Sequence, residues 1–371
     1  MKKAIYLSGG GARGAYQAGV LRGISDILGT TELPVDIISS VSAGAINASY
    51  LAMHADNFSE GTERLSKLWS NISCDQVFKA TNFALLESIF RNGLSMMFHM
   101  ATQNGQYLLD THPLAETLKS TLDFERINRN IDRGLVKAFE VAAMCYDIGK
   151  TVSFVHAYAP PTGFKKIRHF SNNTRIKLEH IMASAAFPLF FPAIKVGKLH
   201  FGDGGLRHSA PLRASIKFGA DNILVIGTRK AHPPPTSLEA ASIGDISFAN
   251  VLGNMLNGLF LDNLDTDLRL LNRINQQIDL IPQSERNRLR WKKVNVLYLH
   301  PSIDIGKLAA GKRHSMPYLL QYIMKAFGGG EQAGDFTSFL LFEADYCQAL
   351  ISCGYDDAIA QKDQINQFFS M

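Results

Sequence analysis

The stretch that most constrains this chain runs from Asp36 to Asn47. An apolar, β-branched run, Ile37-Ile38, passes into the small residues Ser39-Ser40-Val41-Ser42-Ala43-Gly44, and then into Ala45-Ile46-Asn47 with helical spacing. That is the pattern of a strand turning abruptly into a helix, with one hydroxyl, Ser42, at its apex. The serine of such a turn takes a strained backbone conformation. Residues two before and two after it, Ser40 and Gly44, must be small because the chain nearly touches itself there. The usual form is G-x-S-x-G; here a serine occupies the first glycine position. By itself the stretch fits an exposed nucleophilic hydroxyl or a plain tight-packing turn.

A second loop upstream narrows the choice. Ala4 to Leu7 reads as a short buried strand and Ser8-Gly9-Gly10-Gly11-Ala12-Arg13-Gly14 as a loop. Ala15 to Leu28 reads as a helix with apolar residues at Ala15, Ala18, Val20, Leu21, Ile24 and Leu28. A glycine loop at a helix N-terminus leaves backbone N–H groups unpaired where the dipole favours negative charge. Both a phosphate and the oxyanion of acyl transfer exploit that arrangement. Gly9-x-Gly11-x-x-Gly14 also matches the dinucleotide-binding pattern, which requires an acid at the end of the second strand. The acid of that strand, Asp36, lies at its beginning, so dinucleotide binding fails its own context. Parallel sheets gather functional groups at the carboxyl ends of their strands, which puts the glycine loop and Ser42 on one rim. A hydroxyl beside a nest of N–H donors outlines an acyl-transfer site.

Gly9-Gly10-Gly11-Ala12-Arg13-Gly14 followed by Ser40-Val41-Ser42-Ala43-Gly44 resembles the patatin-like phospholipase family. A third motif, Leu199-His200-Phe201-Gly202-Asp203-Gly204-Gly205, is similar to the family's Asp-Gly-Gly, although an Asp-Gly pair also serves as an ordinary turn. The order of the three motifs carries the resemblance. It implies an α/β fold, a three-layer α/β/α sandwich around a mainly parallel sheet, here with a helical C-terminal extension. It implies Ser42 as nucleophile and Asp203 as base, with an oxyanion hole from Gly9, Gly10, Gly11 and Ala12. Gly14, Ser40, Gly44, Gly204 and Gly205 support that site, and Arg13 braces the loop or meets a phosphate. The implied reaction is ester hydrolysis of phospholipids, lysophospholipids or related acyl lipids, with no cofactor and no metal. An acyltransferase or thioesterase would use the same site, and a non-catalytic nucleotide- or lipid-binding protein would keep the loop with Ser42 structural. Arg207-His208-Ser209-Ala210-Pro211 departs from the asparagine that often precedes the family's proline. Ile181-Met182-Ala183-Ser184-Ala185-Ala186-Phe187-Pro188 is similar to a recurring family block, its small residues suited to packing a helix beneath the elbow. Of the histidines, His200 stands closest to Asp203 and could share its rim by strand alternation; His169, His180 and His208 are the other candidates for a triad.

The 371 residues suffice for a catalytic core over 1–230 and a mostly helical part over 231–371, packed on the core or completing it, with His232-Pro233-Pro234-Pro235 as the boundary. Strands are expected at Gly134–Asp147, Thr151–Tyr158, Phe164–Phe170, Asn222–Thr228 and Val294–His300. Helices are expected at Ser59–Asn71, Ile243–Asp279, Pro317–Phe327, Phe336–Cys353 and Asp356–Phe369, with Gly328-Gly329-Gly330 and Gly354 as breaks. Residues 81–107, rich in Met and Phe, read as a core helix pair or as an adaptable wall for an acyl chain. Ser284 to Lys293 reads as a solvated basic helical face or a membrane-surface patch. Four cysteines without a C-x-x-C pair suit a reducing compartment, and the apolar run after Lys2-Lys3 is too short for a secretion signal. A cytoplasmic location is therefore expected. The net charge of +5 permits peripheral contact with anionic lipid but demands no nucleic acid. Oligomeric state has no signature in the sequence.

Overall fold

In this computed structural model the described residues are 1–80, 107–159, 170–188, 190–230, 247–286, 288–289, 291–318, 320–321 and 333–371. The chain begins with β1 (Lys3–Leu7), a 3-10 turn (Gly11–Arg13), α1 (Gly14–Leu28), β2 (Ile37–Val41), α2 (Ala43–Met53), α3 (Phe58–Ser70) and α4 (Cys74–Val77). Two short strands, β3 (Lys79–Ala80) and β4 (Leu109–Asp110), pair with each other. Next come α5 (His112–Thr121), α6 (Phe124–Asp132), β5 (Ala138–Cys145), β6 (Lys150–Ala157), β7 (Phe170–Asn173) and α7 (Leu178–Ser184). Then follow β8 (Ile194–Val196), β9 (Leu199–Asp203), α8 (Arg213–Lys217), β10 (Asn222–Ile226), α9 (Phe248–Phe260) and α10 (Asp262–Asp279). The chain closes with α11 (Gln283–Arg286), β11 (Asn295–Leu299), α12 (Ile305–Gly311), α13 (Gly334–Leu340), α14 (Ala344–Ala360) and α15 (Lys362–Ser370).

The sheet runs β11-β10-β1-β2-β5-β6-β7, parallel from β11 through β5, with β6 antiparallel to β5. Buried strands in such a sheet must be apolar on both faces. Ile5, Leu7, Leu224 and Ile226 enter one core with α1, α2, α3 and α14. Ala4, Tyr6, Ile223 and Val225 enter a second with Phe218 and with Leu264 and Leu271 of α10. Helical layers thus cover both faces of a mostly parallel sheet. β11, from the far C-terminal part, pairs in register along the whole of β10, Asn222 opposite Asn295 through Ile226 opposite Leu299.

Four expectations change. Gly354 does not break a helix: α14 runs through it, and the position takes glycine because a Cβ there would collide with the carbonyl of Tyr16 in α1. Its function is close helix approach. The helix expected from Phe336 to Cys353 is instead interrupted at Leu341-Phe342-Glu343, and the long helix expected from Ile243 is divided between α9 and α10. Among the described residues of the basic stretch from Ser284, helix extends to Arg286. There the guanidinium turns back to the carbonyls of Ile281 and Asp279, while Lys292 and Lys293 pair with Asp221 and Asp279. Residues 81–106, 160–169, 231–246 and 322–332 are outside the described residues. They include nearly all of the stretch read as an acyl-chain wall, the prolines at 233–235, most of the strand expected at Phe164–Phe170, and the glycines at 328–330.

Candidate active site

β5 explains why Ser42 and Asp203 meet. β2 pairs with its first half and stops at Val41, opposite Ala142. β9 takes over the same edge at the next residue, Asp203 opposite Ala143, running antiparallel. The chain leaving β2 and the chain arriving at the end of β9 are therefore brought to one point on one rim. Ser42 Oγ donates a hydrogen bond to Asp203 Oδ2 at 2.5 Å, and Gly205 N–H donates to Oδ1 at 2.9 Å. Asp203 is fully buried, and this burial pushes its carboxyl up to about 7, against smaller opposing effects of those two hydrogen bonds.

Ser42 has φ 57° and ψ −130°, and among the described residues it is the one non-glycine with positive φ. Such a conformation costs of order 1–3 kcal/mol and persists only where the surroundings hold it. They do so here from two sides. Ser42 N–H donates to Ser184 Oγ at 2.8 Å, and that hydroxyl donates to the Ala142 carbonyl at 2.6 Å. On the far side of the turn, any side chain on Gly44 would run into the carbonyls of Leu7, at the end of β1, and of Ser8, which follows it. The tight contact of the elbow is thus Gly44 against β1. Ser40 has room for its side chain, which donates to the Glu140 carbonyl at 2.9 Å.

The glycine loop lies beside this turn. A Cβ on Gly9 would sit 3.0 Å from Ser42 Cβ, and Thr228 Oγ1 fixes the Gly9 carbonyl at 2.8 Å. Among the described residues, the N–H groups of Gly10, Gly11 and Ala12 make no backbone hydrogen bond. Below the loop runs a buried polar chain. Trp69 Nε1 donates to Asn47, Asn47 to Gln17 and to the Gly14 carbonyl, and Gln17 to the carbonyls of Ser8 and Ile226. The Arg13 side chain is held by residues from the C-terminal part of the chain. It is 1% exposed and binds Ser338, Asn257 and Asp335. Gly11, Ser42, Trp69, Leu118, Phe187 and Phe342 are among the lining of an apolar cleft that opens on the hydroxyl.

Among the described residues the candidate histidines lie elsewhere, and His169 is outside the described residues. His200 is exposed and faces Asp147, His180 is buried against Phe154, and His208 lies against Tyr6. Among the described residues, neither Ser42 nor Asp203 hydrogen-bonds a histidine. Sequence reasoning did not single out Ser184, Thr228, Gln17 or Asn47 as site residues. A signal existed for Ser184, the one hydroxyl in the small-residue block. Ala186, two residues on, accepts the backbone N–H of Asp203 at 2.9 Å, so the block touches both members of the pair.

The patatin-like phospholipase family matches residues 5–216, more than half of the chain, and the chain belongs to that family. A distant likeness among solved structures is VipD from Legionella pneumophila, with 14% identity and a TM-score of 0.35; it covers 92% of this chain, which spans 66% of the VipD chain. No curated protein matches the chain.

Proposed function

We propose that the protein is a lipid acyl hydrolase that cleaves carboxylic esters of phospholipids or lysophospholipids through a Ser42–Asp203 dyad. The observation that carries this reading is the 2.5 Å hydrogen bond from a strained serine hydroxyl to a fully buried carboxylate. Ser42 Oγ attacks the ester carbonyl while its proton passes to Asp203 Oδ2. Backbone N–H groups of the Gly9–Ala12 loop receive the oxyanion, each worth about 3 kcal/mol in comparable sites. The bond to the leaving alcohol then breaks, and Asp203 returns the proton to its oxygen. Water, deprotonated by the same carboxylate, releases the fatty acid and restores Ser42. A carboxyl raised to about 7 by burial is matched to this work at neutral pH, basic enough to accept a proton and still about half ionised. Its high value comes from desolvation, with no imidazole needed. The apolar cleft suits an acyl chain, and the net charge of +5 gives mild attraction to an anionic lipid surface.

The test is release of fatty acid from vesicles of phosphatidylcholine and of lysophosphatidylcholine, read by mass spectrometry. Release by the wild type and none by Ser42→Ala is the expected result. Equal release by both proteins, or none by either, contradicts the proposal.

A further inference from the structure

Arg13 is a buried cation whose partners come almost entirely from one distant segment. Nε donates to Ser338 Oγ at 2.8 Å, and one terminal nitrogen donates to Asp335 at 3.0 Å to the carboxylate and 3.2 Å to the carbonyl. The guanidinium also stacks 4.1 Å above the Phe339 ring. Asn257 is the remaining partner, at 3.4 Å. A guanidinium at 1% exposure is strongly disfavoured unless paired, so the glycine loop is stable in this position only while α13 is docked. Backbone contact agrees, since Gly11, at φ 58°, sits so close to the Phe339 carbonyl that no side chain fits between them. The same segment then forms part of the cleft. Phe339, Leu340 and Phe342 line it together with Gly11 and Ser42. Phe339 packs against Phe187 and Phe260. Phe342 stacks on Trp69 at 6.3 Å and meets Phe78 edge-on at 6.1 Å. All of these residues from 335 to 342 lie beyond the part of the chain that the family accounts for, residues 5–216.

We infer that the segment Asp335–Phe342 completes the active site: Phe342 is a wall that selects long acyl chains, and Asp335, through Arg13, is a positioning residue for the glycine loop. This rests on the acyl-hydrolase reading above. The break at Leu341-Phe342-Glu343 is part of the device. It lets α13 end against the loop and α14 begin elsewhere, turning the Phe342 ring in toward Trp69. Trp69 and Phe342 line the cleft together with Ser42, so an acyl chain seated in it packs against these rings, and a longer chain covers more of that wall.

The experiment compares p-nitrophenyl butyrate with p-nitrophenyl palmitate for the full chain, alongside cis-parinaric acid binding to Ser42→Ala protein. Phe342→Ala should lower the ratio of kcat/KM for palmitate to that for butyrate about tenfold, and weaken parinarate binding to a similar degree. Phe342→Leu, which keeps more of the packing, should give a smaller shift in the same direction. Asp335→Asn should lower kcat for both esters about tenfold with little change in KM, and Asp335→Glu should restore most of it. An unchanged palmitate-to-butyrate ratio together with unchanged parinarate affinity in both Phe342 variants overturns the wall. A folded Asp335→Asn protein with wild-type kcat overturns the positioning role. If the wild type hydrolyses neither ester, the hydrolase reading fails and so does the positioning role, while parinarate binding still decides the wall.

Discussion

Two regions use the same kind of residue for opposite ends: the rim where β1, β2 and β9 deliver their carboxyl ends, and the seam where α1 lies along α14. At the rim, small residues free the backbone to bend, as at Gly11 and Ser42, and among the described residues the N–H groups of Gly10, Gly11 and Ala12 make no backbone hydrogen bond. Along the seam, small residues only let two helices touch. A Cβ on Gly19 would strike the Ile351 carbonyl, one on Gly23 the Ala358 side chain, and one on Gly354 the Tyr16 carbonyl. The rim holds strain and a buried carboxylate, both of which lower stability. The seam holds no such strain among the described residues, its buried Asp357 carboxylate accepts a hydrogen bond from Tyr16 Oη at 3.0 Å, and it supplies the packing that makes the strain of the rim tolerable. Substitutions should therefore separate activity from stability in opposite ways at the two places.

The largest effect is expected at the rim. Ser42→Ala and Asp203→Asn should each lower kcat by roughly four or more orders of magnitude, and the double variant should be no worse than either, because the two groups act as a unit. Asp203→Asn should nonetheless melt no lower than the wild type, since it removes a carboxylate whose ionisation burial opposes. A clear drop in Tm would show that Asp203 holds the fold together, and would erase the contrast.

At the seam the sign reverses. Gly354→Ala would gain about 1 kcal/mol in an exposed helix, but here the added methyl meets the Tyr16 carbonyl, and overpacking should cost about 1–3 kcal/mol. Denaturant melts should show that loss while kcat per folded molecule stays near wild type. A stabilised variant would mean that α1 and α14 are not in close contact.

A smaller effect sharpens the rim from the side of pH. Glu140 is fully buried beneath Ser40, and desolvation pushes its carboxyl up to about 7 from an ordinary 4.5. The folded state thus holds a proton that the unfolded state has released between those values, so stability falls as pH rises across that window. Glu140→Gln should flatten the decline of Tm between about pH 5 and pH 8. The same slope in variant and wild type would remove Glu140 as its source.

How much of this was legible in the sequence follows from which features are local. The elbow, the glycine loop and the Asp-Gly-Gly turn each have their composition within a few residues, so Ser42, Gly9–Ala12 and Asp203 could be named from the chain alone. What brings them together is not local. Nothing around Leu199–Asp203 says that this strand runs antiparallel and continues the edge that β2 leaves on β5. Ser184 binds Ser42 across 142 positions of sequence, and Asp335 binds Arg13 across 322. Gly354 shows the converse error. A glycine in a helical pattern reads locally as a break, and only the helix lying against it reveals a packing role.

The central claim, that a buried carboxylate alone activates Ser42, is tested most directly by the rate of fluorophosphonate labelling as a function of pH, with the labelled residue mapped by mass spectrometry. The label should fall on Ser42, and its rate should rise with pH to a plateau through a midpoint of about 7, the value to which burial raises Asp203. His200→Ala should leave that profile unchanged, and Asp203→Asn should abolish labelling. Wild-type labelling in a folded Asp203→Asn protein, or its loss in His200→Ala, would contradict the dyad.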